Sequence, residues 1–111
     1  MIIRKTPAEL EKMRRAGLLV YQILQKMREV AVEGASTMDL EIAAAKMMED
    51  AGARPAFKGY EGPVRGDPFR FVLCTSVNSE IVHGMPSSKR VLKPGDIVSI
   101  DTGVQLDGYF G

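Results

Sequence analysis

Residues 97–111 read IVSIDTGVQLDGYFG, and this segment carries the clearest structural signal in the chain. Its odd-numbered positions are mostly polar, and its even-numbered positions are mostly apolar, namely Val98, Ile100, Thr102, Val104 and Leu106. A period of two is typical of a β-strand with one buried and one exposed face. Asp101 occupies an odd position, so we predict that its carboxylate faces away from the core.

A tight turn follows this strand, because Asp107-Gly108 is a strong signal for a two-residue hairpin. Position 112 would then share the face of Asp101, one diagonal step across the ladder. A hairpin that stops three residues after its turn leaves unpaired N–H and C=O groups, which proteins usually cover, shorten or charge. We therefore expect the chain to be part of something longer. The turn predicts three opposed pairs: Leu106 with Tyr109, Gln105 with Phe110, and Gly103 with position 112.

A first helix is predicted from about Pro7, because Thr6 and Glu9 have the spacing of a capping box and proline is favoured at the first helical position. Gly34 ends its apolar pattern. A coiled-coil dimer is an alternative interpretation of the pattern, but Gly17 interrupts it and only about three heptads are present, which favours a core helix. The predicted buried stripe contains Leu10, Met13, Gly17, Val20, Leu24, Met27 and Ala31, with Ile23 and Val30 beside it.

A second helix is predicted between Ser36 or Thr37, which are the candidate caps, and Gly52. Asp39 stands three residues after Ser36, as a capping box requires. Its predicted apolar face contains Leu40, Ala43, Ala44, Met47, Met48 and Ala51. Four of the seven methionines lie on the two stripes, which favours core filling over a metal-binding or partner-binding surface: Met13, Met27, Met47 and Met48.

The middle of the chain is predicted to contain a long loop followed by two strands. Residues 53–69 are rich in glycine and proline, which break regular structure. Residues 70–77 and 81–83 have the composition of strands, and residues 93–96 that of a turn. No repeat, linker or low-complexity tract divides residues 1–111, so we expect one folding unit.

Composition excludes several classes of protein. The chain has 111 residues, of which 45% are hydrophobic and 26% charged, as in one ordinary globular domain. A net charge of +1 does not favour a nucleic-acid partner, and no apolar run approaches the 18 or so residues of a membrane span. The single cysteine, Cys74, and the polar N-terminus lead us to expect a cytoplasmic protein.

Five segments carry a resemblance that extends over essentially the whole chain. They are residues 5–14 (KTPAELEKMR), 57–60 (FKGY), 74–86 (CTSVNSEIVHGMP), 92–101 (LKPGDIVSID) and 107–111 (DGYFG). In this order they resemble type I methionine aminopeptidase. The resemblance implies an α+β fold that is half of a pita-bread (creatinase/aminopeptidase-like) fold, with two helices plus antiparallel strands ending in an incomplete hairpin. Residues 1–111 are then expected to be the N-terminal half of the catalytic domain, without the C-terminal half.

The resemblance also implies a metal centre in the complete enzyme. The family binds two divalent metal ions, expected to be Co, Mn, Fe or Zn, which activate water for hydrolysis of a peptide bond. Of the five metal-binding side chains of the family, only the first aspartate has a counterpart here, Asp101; the second is expected at position 112. The chain alone is expected to bind metal weakly or not at all.

The resemblance implies substrate-binding residues as well. His83 matches a histidine that supports the developing tetrahedral centre without binding metal. An apolar pocket for the methionine side chain is implied at Phe57, Tyr60, Phe69 and Cys74, where sulfur-aromatic contacts are favourable. Taken without the resemblance, His83 fits better as a hydrogen-bonded structural residue, and the apolar residues, Phe57 and Cys74 in particular, fit equally well in a core. A thiol nucleophile is disfavoured, because no neighbouring group is apparent that would lower the pKa of Cys74.

The sequence and its resemblance lead to two hypotheses about function. The leading hypothesis is metal-dependent removal of the N-terminal methionine from nascent proteins by the parent enzyme, with methionyl peptides as substrates and the isolated chain inactive. The alternative is a non-catalytic truncated relative that binds partners or self-assembles through its open sheet edge, by pairing with another copy or with a complementary half. A nucleic-acid-binding relative is disfavoured by the charge of +1.

Overall fold

The structure, a computed structural model, describes residues 2–59, 66, 68–81 and 84–111. In these ranges the helices are α1 (Pro7–Val30) and α2 (Thr37–Asp50), and the strands are β1 (Arg54–Pro55), β2 (Leu73–Val77), β3 (Val98–Thr102), β4 (Val104–Leu106) and β5 (Tyr109–Phe110). One sheet has the order β1-β4-β5, and β2 pairs with β3 in a second sheet; all pairings are antiparallel. The α+β class predicted from the sequence is confirmed.

Both predicted helix starts are confirmed by their capping boxes. The Thr6 hydroxyl accepts a hydrogen bond from the Glu9 N–H, and the Glu9 carboxylate accepts one from the Thr6 N–H. Ser36 and Asp39 make the same reciprocal pair at the start of α2. Such pairs satisfy backbone N–H groups that have no partner within the helix. Neither helix in the described ranges combines the length and apolar character needed to cross a membrane.

The buried face of α1 matches the predicted stripe only in part. Met27 and its predicted neighbour Ile23 are buried, as expected. Leu10 and Leu24 are 54% and 37% exposed, and Met13 is also exposed. The apolar sector of α1 is wider than one buried face, and only the part that packs on α2, β4 and β5 is covered. The face that enters the core is rotated relative to the predicted stripe and consists of Ala16, Leu19, Ile23 and Met27.

The core is completed by α2 and by residues in or next to β2 and β4. Leu40, Ala44 and Met48 are buried as predicted, whereas Ala43 and Met47 are half-buried and Ala51 is exposed. The prediction that the methionine side chains fill the core is thus confirmed for Met27 and Met48 and wrong for Met13. From the strands and the residue before β2, the core receives Val72, Leu73 and Val104.

The middle of the chain departs from the predicted loop in one place. Arg54 and Pro55 form β1, because they pair with Gln105 and Val104. The predicted strand at residues 70–77 is confirmed as β2, with a later start. The turn at residues 93–96 is confirmed by a hydrogen bond from the Asp96 N–H to the Lys93 carbonyl. Of the predicted strand at residues 81–83, Ile81 is in no strand, and residues 82 and 83 lie outside the described residues.

The predicted strand over residues 97–106 divides at Gly103. Its first part, β3, pairs with β2, and its second part, β4, pairs with β1 and β5. Gly103 is buried, and a Cβ there would lie 3.1 Å from the Cβ of Ala56 and 3.3 Å from the Gly111 carbonyl oxygen. A side chain pointing to solvent at this position, as the alternation predicts, is therefore excluded.

The hairpin register is as predicted. Leu106 pairs with Tyr109 and Gln105 with Phe110, and the ladder continues through two hydrogen bonds between Val104 and Gly111. Asp107 and Gly108 both have positive φ, at 50° and 82°, as this type of two-residue turn requires.

Neighbouring residues on α1 test which face is the core. We expect Ile23→Ala, at a fully buried position, to lower the free energy of unfolding by about 2–5 kcal/mol, because it leaves a cavity. The matched variant Leu24→Ala should cost about 1 kcal/mol or less. Urea denaturation at low protein concentration measures both. Equal costs, or a larger cost at Leu24, would show that Leu24 lies in the core as deeply as Ile23 does.

Candidate metal and substrate site

The β2–β3 ladder determines where Asp101 lies. Asp101 is the register partner of Cys74, and its neighbours Ile100 and Thr102 are half-buried on the opposite face of β3. The Asp101 side chain is exposed, on the outward face that the alternation predicts. Within the described part of the chain, no hydrogen bond or ion pair engages its carboxylate.

Side chains secure the ladder at its two ends. At one end the Thr102 hydroxyl donates to the Val72 carbonyl at 3.1 Å. At the other end the Asn78 side chain accepts from the Ile97 N–H at 3.0 Å and donates to the Asp96 carboxylate at 3.0 Å. Asn78 has a φ of 55°, a conformation that asparagine tolerates better than most residues. These bonds fix the register and hence the position of Asp101 on the exposed face.

A buried carboxylate joins α2 to the start of β2. Glu41 is 8% exposed, and its two oxygens accept hydrogen bonds from the backbone N–H groups of Val72 and Leu73, each at 3.0 Å. Burial raises the pKa of the Glu41 carboxyl above its ordinary value of 4.5, while these N–H groups and the charge of Lys58 act in the opposite direction. The bonds position the first residues of the strand that holds Cys74 opposite Asp101.

Cys74 has the environment of a protonated thiol. It is 8% exposed, and burial raises the pKa of its thiol, which the negative charges of Asp101 and Glu41 raise further. A thiol rather than a thiolate is a poor nucleophile. Cys74 therefore contributes a small apolar surface beside Asp101.

The other predicted pocket residues are only partly brought together. Phe57 is half-buried and lies beside Gly103, where its Cε1 would be 3.7 Å from a Cβ. Phe69 is half-buried and packs edge-on against Phe71 with ring centroids 5.7 Å apart. Predicted site residues Tyr60 and His83 lie outside the described residues.

The segment after position 83 runs closely along β2. The Thr75 N–H donates to the Gly84 carbonyl at 2.8 Å, and the Gly84 N–H donates to the Ser76 hydroxyl at 3.0 Å. A Cβ on Gly84 would overlap the Thr75 carbonyl oxygen, so only glycine permits this approach. Thr75 Oγ1 is buried with no partner among the described residues. Gly84 thus fixes the chain beside β2 directly after the predicted substrate histidine.

The described residues alone do not match a complete metal centre. No group of three or more His, Cys, Asp or Glu side chains in the described ranges is arranged to hold a metal ion. Asp101 supplies a carboxylate, a ligand type suited to divalent metals, but one carboxylate does not fill the coordination of two ions.

Glu41 is the residue of this region that sequence reasoning missed. Thr37, Glu41, Ala44 and Met48 are spaced four, three and four residues apart, so Glu41 occupies a position on the buried face of α2. A carboxylate at such a position requires partners. That spacing was the available signal, although it does not reveal which N–H groups bind the carboxylate.

Comparison with known proteins shows an extended similarity. The sequence signature of metallopeptidase family M24 matches residues 11–111. The chain is 48% identical over 111 residues to methionine aminopeptidase 1 of Bacillus subtilis, covering 100% of this chain and 42% of that protein. It is 46% identical over 103 residues to methionine aminopeptidase of Aquifex aeolicus, covering 93% of this chain and 40% of that protein. The chain thus spans about two fifths of the length of these curated relatives.

Solved structures show the same similarity. The crystal structure of methionine aminopeptidase from Thermotoga maritima matches with a TM-score of 0.89 and 41% identity, over 100% of this chain and 42% of that chain. The structure from Rickettsia prowazekii matches with a TM-score of 0.88 and 35% identity, again over 100% of this chain and 42% of the other.

The pH dependence of stability tests the environment of Glu41. Because its pKa is raised in the folded protein, the folded state keeps the proton to higher pH than the unfolded chain does. We therefore expect this group's contribution to the free energy of unfolding to be most favourable below pH 4.5 and to decrease as the pH rises above it. Urea denaturation of wild type and Glu41→Gln at pH values on both sides of 4.5 isolates the contribution of the Glu41 carboxyl to the free energy of unfolding.

The control is Glu49→Gln, at an exposed position on the same helix. The free energy of unfolding of Glu49→Gln should change with pH as that of wild type does. In Glu41→Gln, the decrease in this free energy above pH 4.5 that the Glu41 carboxyl causes should be absent. Parallel profiles for wild type and Glu41→Gln would contradict the assignment.

Proposed function

We propose that this chain, which belongs to metallopeptidase family M24, forms the N-terminal half of the catalytic domain of a methionine aminopeptidase. Its relatives carry that name, and the complete enzyme would remove the N-terminal methionine from nascent proteins. The observation that carries the proposal is the end-to-end match, at 48% identity, to a curated methionine aminopeptidase. The fold supports it, because the match to solved methionine aminopeptidases covers the whole chain.

Asp101 is proposed as one ligand of the metal centre. Its support is the outward position on β3 and the absence of a hydrogen-bond or ion-pair partner for its carboxylate within the described ranges. A second carboxylate at position 112 would face Gly103 by continuation of the β4–β5 register. The remaining ligands belong to the portion of the relatives that this chain does not span. On this proposal the isolated chain is inactive and binds metal weakly.

The methionine side chain is proposed to contact Phe57, Tyr60, Phe69 and Cys74. The protonated thiol of Cys74 beside Asp101 is compatible with an apolar pocket wall, and the half-buried rings of Phe57 and Phe69 offer apolar surface. His83 is proposed to donate a hydrogen bond to the substrate as charge develops at the scissile bond. The close packing of Gly84 on β2 supports this role, since it anchors the residue that follows His83.

A second candidate function is a non-catalytic module that pairs through its sheet edge, with another copy or with a complementary half. The observation that favours it is the position of β5 at the edge of the β1-β4-β5 sheet, with Phe110 58% exposed. Such an edge is a template for strand addition. The two proposals differ in whether the chain supports catalysis once the rest of a methionine aminopeptidase is supplied.

A chimera separates these functions. Residues 1–111 replace the corresponding region of the Bacillus subtilis relative, and hydrolysis of a methionyl peptide is measured with added Co²⁺ or Mn²⁺. We expect turnover by the chimera and none by the isolated chain, because the chain supplies only part of the ligand set. A folded but inactive chimera would favour the non-catalytic module, and robust turnover by the isolated chain would show that the ligand assignment is wrong.

Within the chimera, Asp101→Asn should lower kcat/KM by more than about 100-fold. Mutation of residues that only hydrogen-bond to a metal ligand already lowers metal affinity or activity by about 10–100-fold, and a ligand itself should matter more. Asp107→Asn is the matched control: it makes the same change at an exposed turn residue, and Asn-Gly suits the same hairpin turn. It should retain wild-type activity. Similar activities for the two variants would remove Asp101 from the metal centre.

A further inference from the structure

An open cavity of about 270 Å³ lies at the end of the β2–β3 ladder where Asn78 binds the start of β3. We call it the basic pocket, because three of the described side chains that line it are cationic and one is a carboxylate. Its lining residues are Asn78, Lys89, Arg90, Val91, Lys93 and Asp96. None of them is among the residues proposed to bind metal or methionine, so a ligand of this pocket does not depend on the proposed peptidase activity.

The basic pocket has more positive charge than the chain as a whole. Its three cations and the single carboxylate of Asp96 give a net charge of +2, whereas all 111 residues together give +1. Hydrogen bonds from the Asn78 amide and the Lys93 N–H lower the pKa of Asp96, so its carboxylate is ionised at neutral pH. Charges of one sign gathered in a concave surface raise the local potential and attract counter-ions. The pocket therefore favours an anion with about two negative charges.

Ion pairs within the described ranges do not compensate this charge, since every one of them joins residues outside the pocket. The positive charges of Arg90 and Lys93 act on Asp96 through space, without an ion pair, and both oxygens of that carboxylate accept hydrogen bonds from other groups. Cations that share a cavity repel one another. An anion placed among them would reduce that repulsion.

Backbone hydrogen bonds hold the segment that contains the three cations. The Thr37 N–H donates to the Arg90 carbonyl at 3.0 Å, and the Leu92 N–H donates to the Ala35 carbonyl at 2.8 Å. Leu92 is buried, whereas Arg90 and Lys93 on either side of it are exposed. The backbone beneath the cations is thus fixed without a ligand, which lowers the entropic cost of binding one.

We propose that the basic pocket binds a phosphate group, either as the free anion or as the monoester of a small molecule. A phosphate monoester has a charge of about −1.5 to −2 at pH 7, which matches the excess positive charge of the pocket. The planar guanidinium of Arg90 suits bidentate binding of two phosphate oxygens, and the lysine ammonium groups add compact positive charges. The cavity is close to the lower end, about 300 Å³, of small-molecule sites, which favours a small ligand over an extended polyanion.

Titration of the full chain, followed by two-dimensional amide NMR at neutral pH and constant ionic strength, tests the proposal. The probes are inorganic phosphate and adenosine monophosphate, with chloride and succinate as comparison anions. We expect both phosphates to cause saturable shifts of the amide signals of residues 89–96. Succinate should bind about fivefold or more weakly, because its two charges lie on separate carboxylates whereas phosphate places them on one group. Equal affinity for the two phosphates would identify the free anion as sufficient, and tighter binding of the nucleotide would identify a monoester.

A pair of matched variants separates the pocket from the general charge of the protein. Arg90→Gln should raise the dissociation constant for phosphate by about tenfold or more, because it removes both a charge and the bidentate donor. Arg28→Gln makes the same change at an exposed arginine of α1 that is outside the pocket, and it should change the dissociation constant less than about twofold. Amide signals that are unchanged away from each substitution verify that both variants are folded.

Several results would overturn the proposal. They are the absence of saturable shifts with either phosphate, equal affinity for phosphate, succinate and chloride, and equal effects of the two variants. Saturable shifts confined to residues outside the pocket would place the anion elsewhere. Binding of a uridine oligonucleotide without binding of either small phosphate would identify an extended polyanion surface instead, and would also contradict the proposal.

Discussion

The antiparallel pairing of β2 with β3 is the constraint on which the candidate site depends. It presents Asp101 on an exposed face, opposite a buried Cys74, and holds the register with side-chain bonds from Thr102 and Asn78 at its two ends. Glu41 extends the same constraint to α2, because its buried carboxylate accepts the N–H groups of Val72 and Leu73. Burial of that carboxylate is unfavourable by itself, and the two backbone donors offset the cost.

Local signals in the sequence were sufficient for the elements with specific short-range chemistry. The capping boxes at Thr6 and Ser36 and the Asp107-Gly108 turn were predicted correctly, since each depends on residues within three positions of one another. The buried face of α1 was predicted only in part, with Ile23 and Met27 but without Ala16 and Leu19, because its apolar sector is wider than the area that other elements cover. Which part is covered depends on contacts with β4 and β5, nearly one hundred positions away in the chain. For the same reason the break at Gly103 required knowledge of its neighbour Ala56.

The candidate site, like the fold, was predicted only in part from the sequence. The alternation of residues 97–106 indicated the outward direction of Asp101, because a strand side chain is directed by its own backbone. The role of Glu41 was missed, since a helix pattern shows that a carboxylate is buried but not which N–H groups it binds. The sequence suggested the pocket residues through family resemblance, and the structure brings Cys74 next to Asp101 and Phe57 next to Gly103. The roles of Phe57, Phe69 and Cys74, like those of Tyr60 and His83, remain predictions.

We propose that the outward carboxylate of Asp101 belongs to a metal centre shared with the rest of a methionine aminopeptidase. The most direct measurement is a crystal structure of the chimeric enzyme loaded with Zn²⁺, with the metal located by anomalous scattering. We expect an anomalous peak at about 2.0–2.2 Å from an Asp101 carboxylate oxygen. Metal bound elsewhere in the protein, with the Asp101 carboxylate remaining free in solvent, would contradict it.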